Sequence, residues 1–120
     1  SVIDTLYGDT ADEWFGWSIG GAGDVDLDGF DDLLVGAPKH DPSQGGRLIV
    51  YSGADRELAM MLTGFSWEEL GTSVAGLGDI DGDGLPDFGV TRPKHLIAGL
   101  NQCGEVDVVS GASIPLHWTS

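Results

Sequence analysis

The apolar residues of this chain fall in short runs separated by glycine-rich and acidic stretches. Leu33-Leu34-Val35-Gly36 and Phe88-Gly89-Val90-Thr91 are brief apolar segments ended by Gly and Pro, the pattern of buried strands. Leu48-Ile49-Val50-Tyr51 and Val106-Asp107-Val108-Val109 form a second pair, apolar enough to lie between packed sheets. Within it Asp107 must face outward or find a partner. The segments Gly16 to Gly21 and Gly71 to Gly76 hold too much glycine for a helix and read as strands of small residues. These pairs belong to one internal repeat. Gly16, Ser18, Asp24 and Pro38 recur 55 residues later, whereas Gly46 and Ser52-Gly53-Ala54 recur 58 residues later, so three extra residues lie between Pro93 and Gly104. Each unit then yields four strands: 15–23, 31–37, 46–52 and 57–63, followed by 70–78, 86–91, 104–110 and 114–119. Four short strands per repeat make one blade of a propeller, so the expected fold is all-β, two four-stranded antiparallel blades.

The N-terminus adds to this count. Residues 1–8, with Thr5-Leu6-Tyr7-Gly8, align with 57–64 and with 113–120, and so read as an extra outermost strand. The expected organisation is 1–8 as that strand, 9–64 as the first blade and 65–120 as the second. Small residues at Gly16, Ser18, Gly20, Gly71, Ser73 and Ala75 suit first strands, which line the narrow centre of a propeller.

Between the first two strands of each unit lies an acidic loop. Asp24, Asp26, Asp28 and Asp32 stand in the pattern Asp-x-Asp-x-Asp-Gly-x-x-Asp, and Asp79, Asp81, Asp83 and Asp87 repeat it. Alternate aspartates in a tight turn converge on one point, and the glycine after the third lets the backbone reverse. The backbone carbonyls of Phe30 and Leu85 complete the expected ligand sets. An all-oxygen set with several carboxylates suits Ca2+ over Mg2+, and the lack of nearby His or Cys argues against zinc or copper. Two structural Ca2+ sites per chain follow. The bland alternative, an acidic solvated turn, fits one copy better than two in register. An EF-hand needs a bidentate Glu at position twelve and flanking helices, but Val35 and Val90 stand there and strands follow.

Phe15-Gly16, the loop Asp24 to Asp32, and Gly36-Ala37-Pro38 together resemble the FG-GAP repeat of integrin alpha-subunit β-propellers and their bacterial relatives. The second copy is looser, with Leu70-Gly71 and Thr91-Arg92-Pro93 in the flanking positions and an intact acidic loop. The resemblance covers nearly the whole chain. It implies an extracellular or cell-surface location and a ligand face opposite the calcium loops, formed by the loops between blades (9–14 and 65–69) and those after Pro38 and Pro93.

Charge and size narrow the function classes. The 120 residues have a net charge of −15, and eight of the 20 acidic residues are the pattern aspartates of the two loops, so two Ca2+ ions still leave the chain strongly acidic. That disfavours nucleic acid and anionic membrane surfaces as partners. No apolar run approaches the roughly 18 residues of a membrane span. The chain opens on Ser1 with no leader-like segment and reads as a processed or excised piece. Its single cysteine, Cys103, excludes an internal disulfide and is expected to be buried or to pair between chains.

No catalytic constellation is found: there is no Gly-x-Ser-x-Gly elbow, no His-Glu-x-x-His and no phosphate-cradling glycine loop between strand and helix. The chain is therefore expected not to be an enzyme. Most of Trp14, Trp17, Trp67 and Trp118 are expected to pack between blades, with Trp14 and Trp67, both in loops between blades, as the candidates for sugar stacking. Pro38-Lys39-His40 and Pro93-Lys94-His95 repeat as a basic tripeptide, suited to an acidic partner or a sugar acid if it is more than a polar loop kept in both copies. The candidate ligand face is thus Trp14, Lys39, His40, Trp67, Lys94 and His95.

The leading functional reading is a calcium-stabilised module for adhesion or protein–protein interaction. The alternatives are a purely architectural self-assembling unit and a sugar-binding lectin propeller. Two blades cannot close a ring, since propellers have 4 to 8. The expected partner is therefore another copy of the chain, three or four completing a ring, or further blades of a longer parent chain, with a protein or glycan ligand beyond that.

Overall fold

A computed structural model describes residues 2–8, 12–40, 45–65, 67–94 and 104–113. Its strands are β1 (Ser18–Gly23), β2 (Asp32–Ala37), β3 (Arg47–Tyr51), β4 (Leu58–Thr63), β5 (Val74–Gly78), β6 (Asp87–Arg92) and β7 (Glu105–Val109), followed by a 3-10 turn at Gly111–Ser113. They form two antiparallel meanders, β1-β2-β3-β4 and β5-β6-β7. This all-β architecture of two sheets, one per repeat, is the one that the spacing of apolar runs predicts. The eighth expected strand, 114–119, lies outside the described residues, as do Cys103 and Trp118.

The register explains why each run is where it is. Leu34 pairs with Gly20 and Val50, and Gly36 with Ser18 and Leu48, so alternate residues of three strands share one face. That face of the first sheet meets the second. Leu34, Leu48 and Val50 pack with Leu70, Val74, Phe88 and Val90 in a single core that also takes in Ala22 and Val25. Fully burying an aliphatic or aromatic side chain of this size contributes about 1.5–3 kcal/mol. The sheets approach chiefly through β1 and β5, the two small-residue strands. Their closeness needs glycine: a Cβ on Gly36 would strike the carbonyl of Gly71, and one on Gly76 the carbonyl of Gly21.

Three expectations need correction. Residues 2–8 form no strand, although Asp4 is tied to Arg56 at 2.8 Å. The outermost place beside β3 is taken by β4, and residues 2–8 pair with no strand among the described residues. The first strands start at Ser18 and Val74, later than 15 and 70, because Gly16 and Gly71 both take left-handed φ, 86° and 96°, and turn the chain. Finally, Val106 and Val108 of the second sheet are exposed, as is Trp17, since no third sheet lies over them among the described residues. Asp107 of that strand does find a partner, Arg92 Nε at 2.7 Å.

Candidate metal centres

Each acidic loop is the connection of a hairpin, β1 to β2 and β5 to β6. A bulge at the same place in both copies, between Gly21 and Gly23 and between Gly76 and Gly78, re-aims the strand into the loop. Carboxylate oxygens of Asp24, Asp26, Asp28 and Asp32 all lie within 4.8 Å of one another, and so do those of Asp79, Asp81, Asp83 and Asp87. The structure thus brings together all eight predicted aspartates, in two clusters of four.

Backbone amides hold the carboxylates in place, and the two sets of bonds match. Gly29 N donates to Asp24 Oδ2 at 2.8 Å and Gly84 N to Asp79 Oδ2 at 2.8 Å. Asp28 N reaches Asp24 Oδ1 at 3.0 Å, and Asp83 N reaches Asp79 Oδ1 at 3.1 Å. The last aspartate folds back on the loop's start, with Val25 N to Asp32 Oδ2 and Ile80 N to Asp87 Oδ2, each 2.9 Å. A carboxylate has about four lone-pair sites, so those that accept these amides keep others for a cation, as a hard-cation site requires.

The loops also recruit residues that the aspartate pattern does not announce. Ser52 Oγ donates to Asp28 Oδ2 at 2.9 Å and Gly53 N to Asp32 Oδ1 at 2.9 Å. Ser110 Oγ and Gly111 N make the same bonds to Asp83 and Asp87, at 3.2 and 2.9 Å. The Ser-Gly-Ala motif that ends each third strand is therefore a brace for the acidic loop. Its recurrence in both repeats was the signal, but spacing alone does not reveal that a strand end reaches back to a loop 20 or more residues earlier.

Electrostatics separate the two clusters. In the first, burial together with the neighbouring Asp32 and Asp28 pushes Asp26 up to about 6, and burial also raises Asp32. Burial opposes Asp28 as well, but the Phe30 amide and the Ser52 hydroxyl outweigh it and hold that carboxyl low. In the second cluster the Gly84 amide lowers Asp79 and the Gly111 amide lowers Asp87, while desolvation and the charges of Asp83 and Asp87 raise Asp81. Four carboxylates crowded without a counter-charge repel one another, which is the condition a bound divalent cation relieves. The donor chemistry fits such an ion in both loops.

On the opposite edge of the sheets the candidate ligand-face residues are held by ion pairs. Lys39 and Lys94 both reach Glu69 Oε2 at 2.8 Å, so the repeated lysines of the two blades converge on one carboxylate. Burial pushes Glu69 up, but the two lysines prevail and keep it below the usual range. Lys39 also lies 5.1 Å from the centre of the Trp14 ring, which stacks on Trp17 at 4.9 Å. Trp14 and Trp67 are exposed. His40 turns to the buried Glu13, which also takes Arg47 Nη2 at 2.9 Å. His95 lies outside the described residues. No helix among the described residues is long and apolar enough to cross a membrane.

Comparison with known proteins agrees with this architecture. A family model for the FG-GAP repeat matches residues 15–51, the segment from the Phe15-Gly16 turn through β3. Integrin alpha pat-2 of Caenorhabditis briggsae is 35% identical over 115 residues, covering 87% of this chain and 9% of the relative. Integrin alpha-5 of Xenopus laevis is 36% identical over 115 residues, covering 87% of this chain and 11% of the relative. Integrin alpha-8 of Mus musculus is 33% identical over 128 residues, with 98% and 12% covered. The chain spans about a tenth of the length of these relatives. Residues 15–51 thus match the FG-GAP repeat, and most of the chain is similar to a part of the integrin alpha chains.

Proposed function

We propose that the chain is a non-enzymatic, calcium-binding β-propeller module for adhesion or protein–protein interaction, extracellular or at the cell surface. The observation that carries this reading is the pair of four-carboxylate clusters with matching amide and serine braces. Ca2+ is held in the first loop by Asp24, Asp26, Asp28, Asp32 and the Phe30 carbonyl, and in the second by Asp79, Asp81, Asp83, Asp87 and the Leu85 carbonyl. Its role is structural: it neutralises the crowded carboxylates and fixes each hairpin, so the affinity belongs with the ~10⁻⁴ to 10⁻³ M of extracellular modules. The units 9–64 and 65–120 act as blades, and partners meet the edge opposite the ions, where Trp14, Lys39, His40, Trp67 and Lys94 lie and to which the repeat of Pro-Lys-His assigns His95 as well. The lateral faces are covered by further blades, supplied by another copy or by a longer parent chain.

Calorimetric titration with CaCl2 tests the reading. Two ions per chain are expected, with Asp28→Asn and Asp83→Asn each removing one and Mg2+ replacing neither. No heat by about 10 mM Ca2+, well above the range of extracellular modules, would refute it.

A further inference from the structure

A groove of about 490 Å³ opens at the end of the second sheet, lined by Thr91, Pro93, Gly104, Glu105 and Val106. The repeat gives each lining residue a counterpart in the first blade: Gly36, Pro38, Gly46, Arg47 and Leu48. There the same place is filled, and by the second blade. Leu70-Gly71 is laid across it, with Leu70 fully buried and bridged in parallel to Gly46, and Leu70 N donating to Gly45 O at 2.8 Å. A Cβ on Gly46 would strike the Leu70 backbone, and the Gly71 carbonyl takes a bond from Ser18 Oγ at 2.8 Å. Leu70-Gly71 is thus a plug seated in a socket of the preceding blade.

Phe15-Gly16 is the same plug in the first blade, without a socket among the described residues. It has the same left-handed glycine, 86° against 96°, and the same anchor to its own blade, Gly16 N to Gly36 O at 3.1 Å against Gly71 N to Thr91 O at 3.1 Å. Yet Gly16 is exposed and Phe15 only half-buried, against Tyr51. The socket of the second blade keeps its form, with Gly104 at φ 82° where Gly46 has 78°. The surfaces flanking plug and socket are mismatched in the same sense. Leu48 and Val50 are 0% exposed, but their counterparts Val106 and Val108 are 66% and 56% exposed; Val74 is 9% exposed, but its counterpart Ile19 is 67% exposed.

We propose that the groove at Thr91, Pro93, Gly104, Glu105 and Val106 receives Phe15-Gly16 of a second copy of this chain. The docking is head to tail, repeating between chains the junction that joins the two blades within one. Ser73 then offers its hydroxyl to the partner's Gly16 carbonyl, as Ser18 does to Gly71, and Ile19 closes over Val106 and Val108. Such an interface is heterologous, so each copy keeps one free end until a ring closes. This deepens the further-blades reading given above by naming the two surfaces that meet.

The test is sedimentation of the whole chain in millimolar Ca2+ at about 100 µM, a concentration that populates even weak complexes. The wild type is expected to exceed the 12.5 kDa of one chain. Val106→Arg spoils the socket only, and Phe15→Asp the plug only. Ile19→Arg, at an exposed site, serves as the second plug-side variant should Phe15→Asp fail to fold. Each variant alone should be monomeric, but an equimolar mixture of a socket variant and a plug variant should give a dimer of twice 12.5 kDa, because one intact plug meets one intact socket. A monomeric wild type, or variants that assemble as the wild type does, overturns the docking. So does a mixture that stays monomeric. Calorimetry on the Val106→Arg/Ile19→Arg double variant scores calcium separately. A chain that binds two ions but never associates overturns only the docking, and one that associates without binding Ca2+ overturns only the calcium reading.

Discussion

The two blades solve one problem with different residues. Each has a buried glutamate in the turn before its first strand, Glu13 and Glu68, and each needs a cation for it. In the first blade Arg47 supplies it from β3, and in the second Arg92 supplies it from β6, Nη1 to Glu68 Oε1 at 2.8 Å. Ala37 pairs with Arg47 and Arg92 with Glu105, so the arginine has moved across one cross-strand pair and still reaches the same point. The acidic loops show the complementary behaviour, keeping every aspartate and brace while their burial differs. Asp26 is buried and pushed up to about 6 by that burial and its acidic neighbours, whereas its counterpart Asp81 is exposed. Core charge compensation tolerates relocation because only the meeting point matters; a four-carboxylate site does not, because each ligand direction matters.

The sharpest break between the blades lies at equivalent positions of their third strands, Leu48 in the core and Val106 exposed. Leu48→Asp puts an unpaired charge in the core and should lower stability by more than about 4 kcal/mol, whereas Val106→Asp should stay within about 0.5 kcal/mol in the isolated chain. Urea unfolding of the two variants checks this. Next come the arginines. Arg47→Met strands Glu13, in a pair whose side chains are 5% and 2% exposed, and should cost about 3–5 kcal/mol. Arg92→Met should cost less, because its surroundings are more open to water. If the order is reversed, the second blade carries the stability. Smaller again is a backbone effect in the loops. Leu27 holds φ 59° where the second loop has Gly82 at 79°, so Leu27→Gly should raise the melting temperature while Gly82→Leu lowers it, each by about 1 kcal/mol equivalent. The smallest effect is one of pH. Glu69 is held below its ordinary 4.5 by Lys39 and Lys94 once their pull overcomes burial, so its contribution is present above pH 4.5 and is lost as pH falls through the lowered value. Glu69→Gln should lower stability near neutrality, leave it unchanged at pH well below the lowered value, and so flatten the acid limb of the stability curve.

Much of this was legible in the chain itself. The convergence of the eight aspartates needed only their spacing, because the loop geometry is local: each carboxylate is within nine residues of the others in its cluster. Sheet membership followed from apolar runs, and the repeat fixed where they recur. What escaped was non-local. Nothing in Lys39 and Lys94 shows that both meet Glu69, since that depends on how two blades abut. Trp17 was expected between blades because aromatics supply core area, yet it stacks on Trp14 at an exposed edge. Residues 2–8 matched an outer strand in sequence, but a strand is made by pairing with a neighbour, and beside β3 the outermost place is already taken by β4. Ser52 and Ser110 were visible as a repeat without their role, because the bond to the loop crosses two strands.

The most direct test of the central claim, that one cation site is written twice, follows the backbone amides of Gly29 and Gly84 by NMR during a Ca2+ titration. Both donate to the first aspartate of their loop at 2.8 Å and so report on ligand geometry. The account predicts that both signals shift and saturate, and that Asp28→Asn silences the response of Gly29 alone. If neither amide moves by about 10 mM Ca2+, beyond the range of extracellular calcium modules, the two loops are acidic turns and the account is wrong.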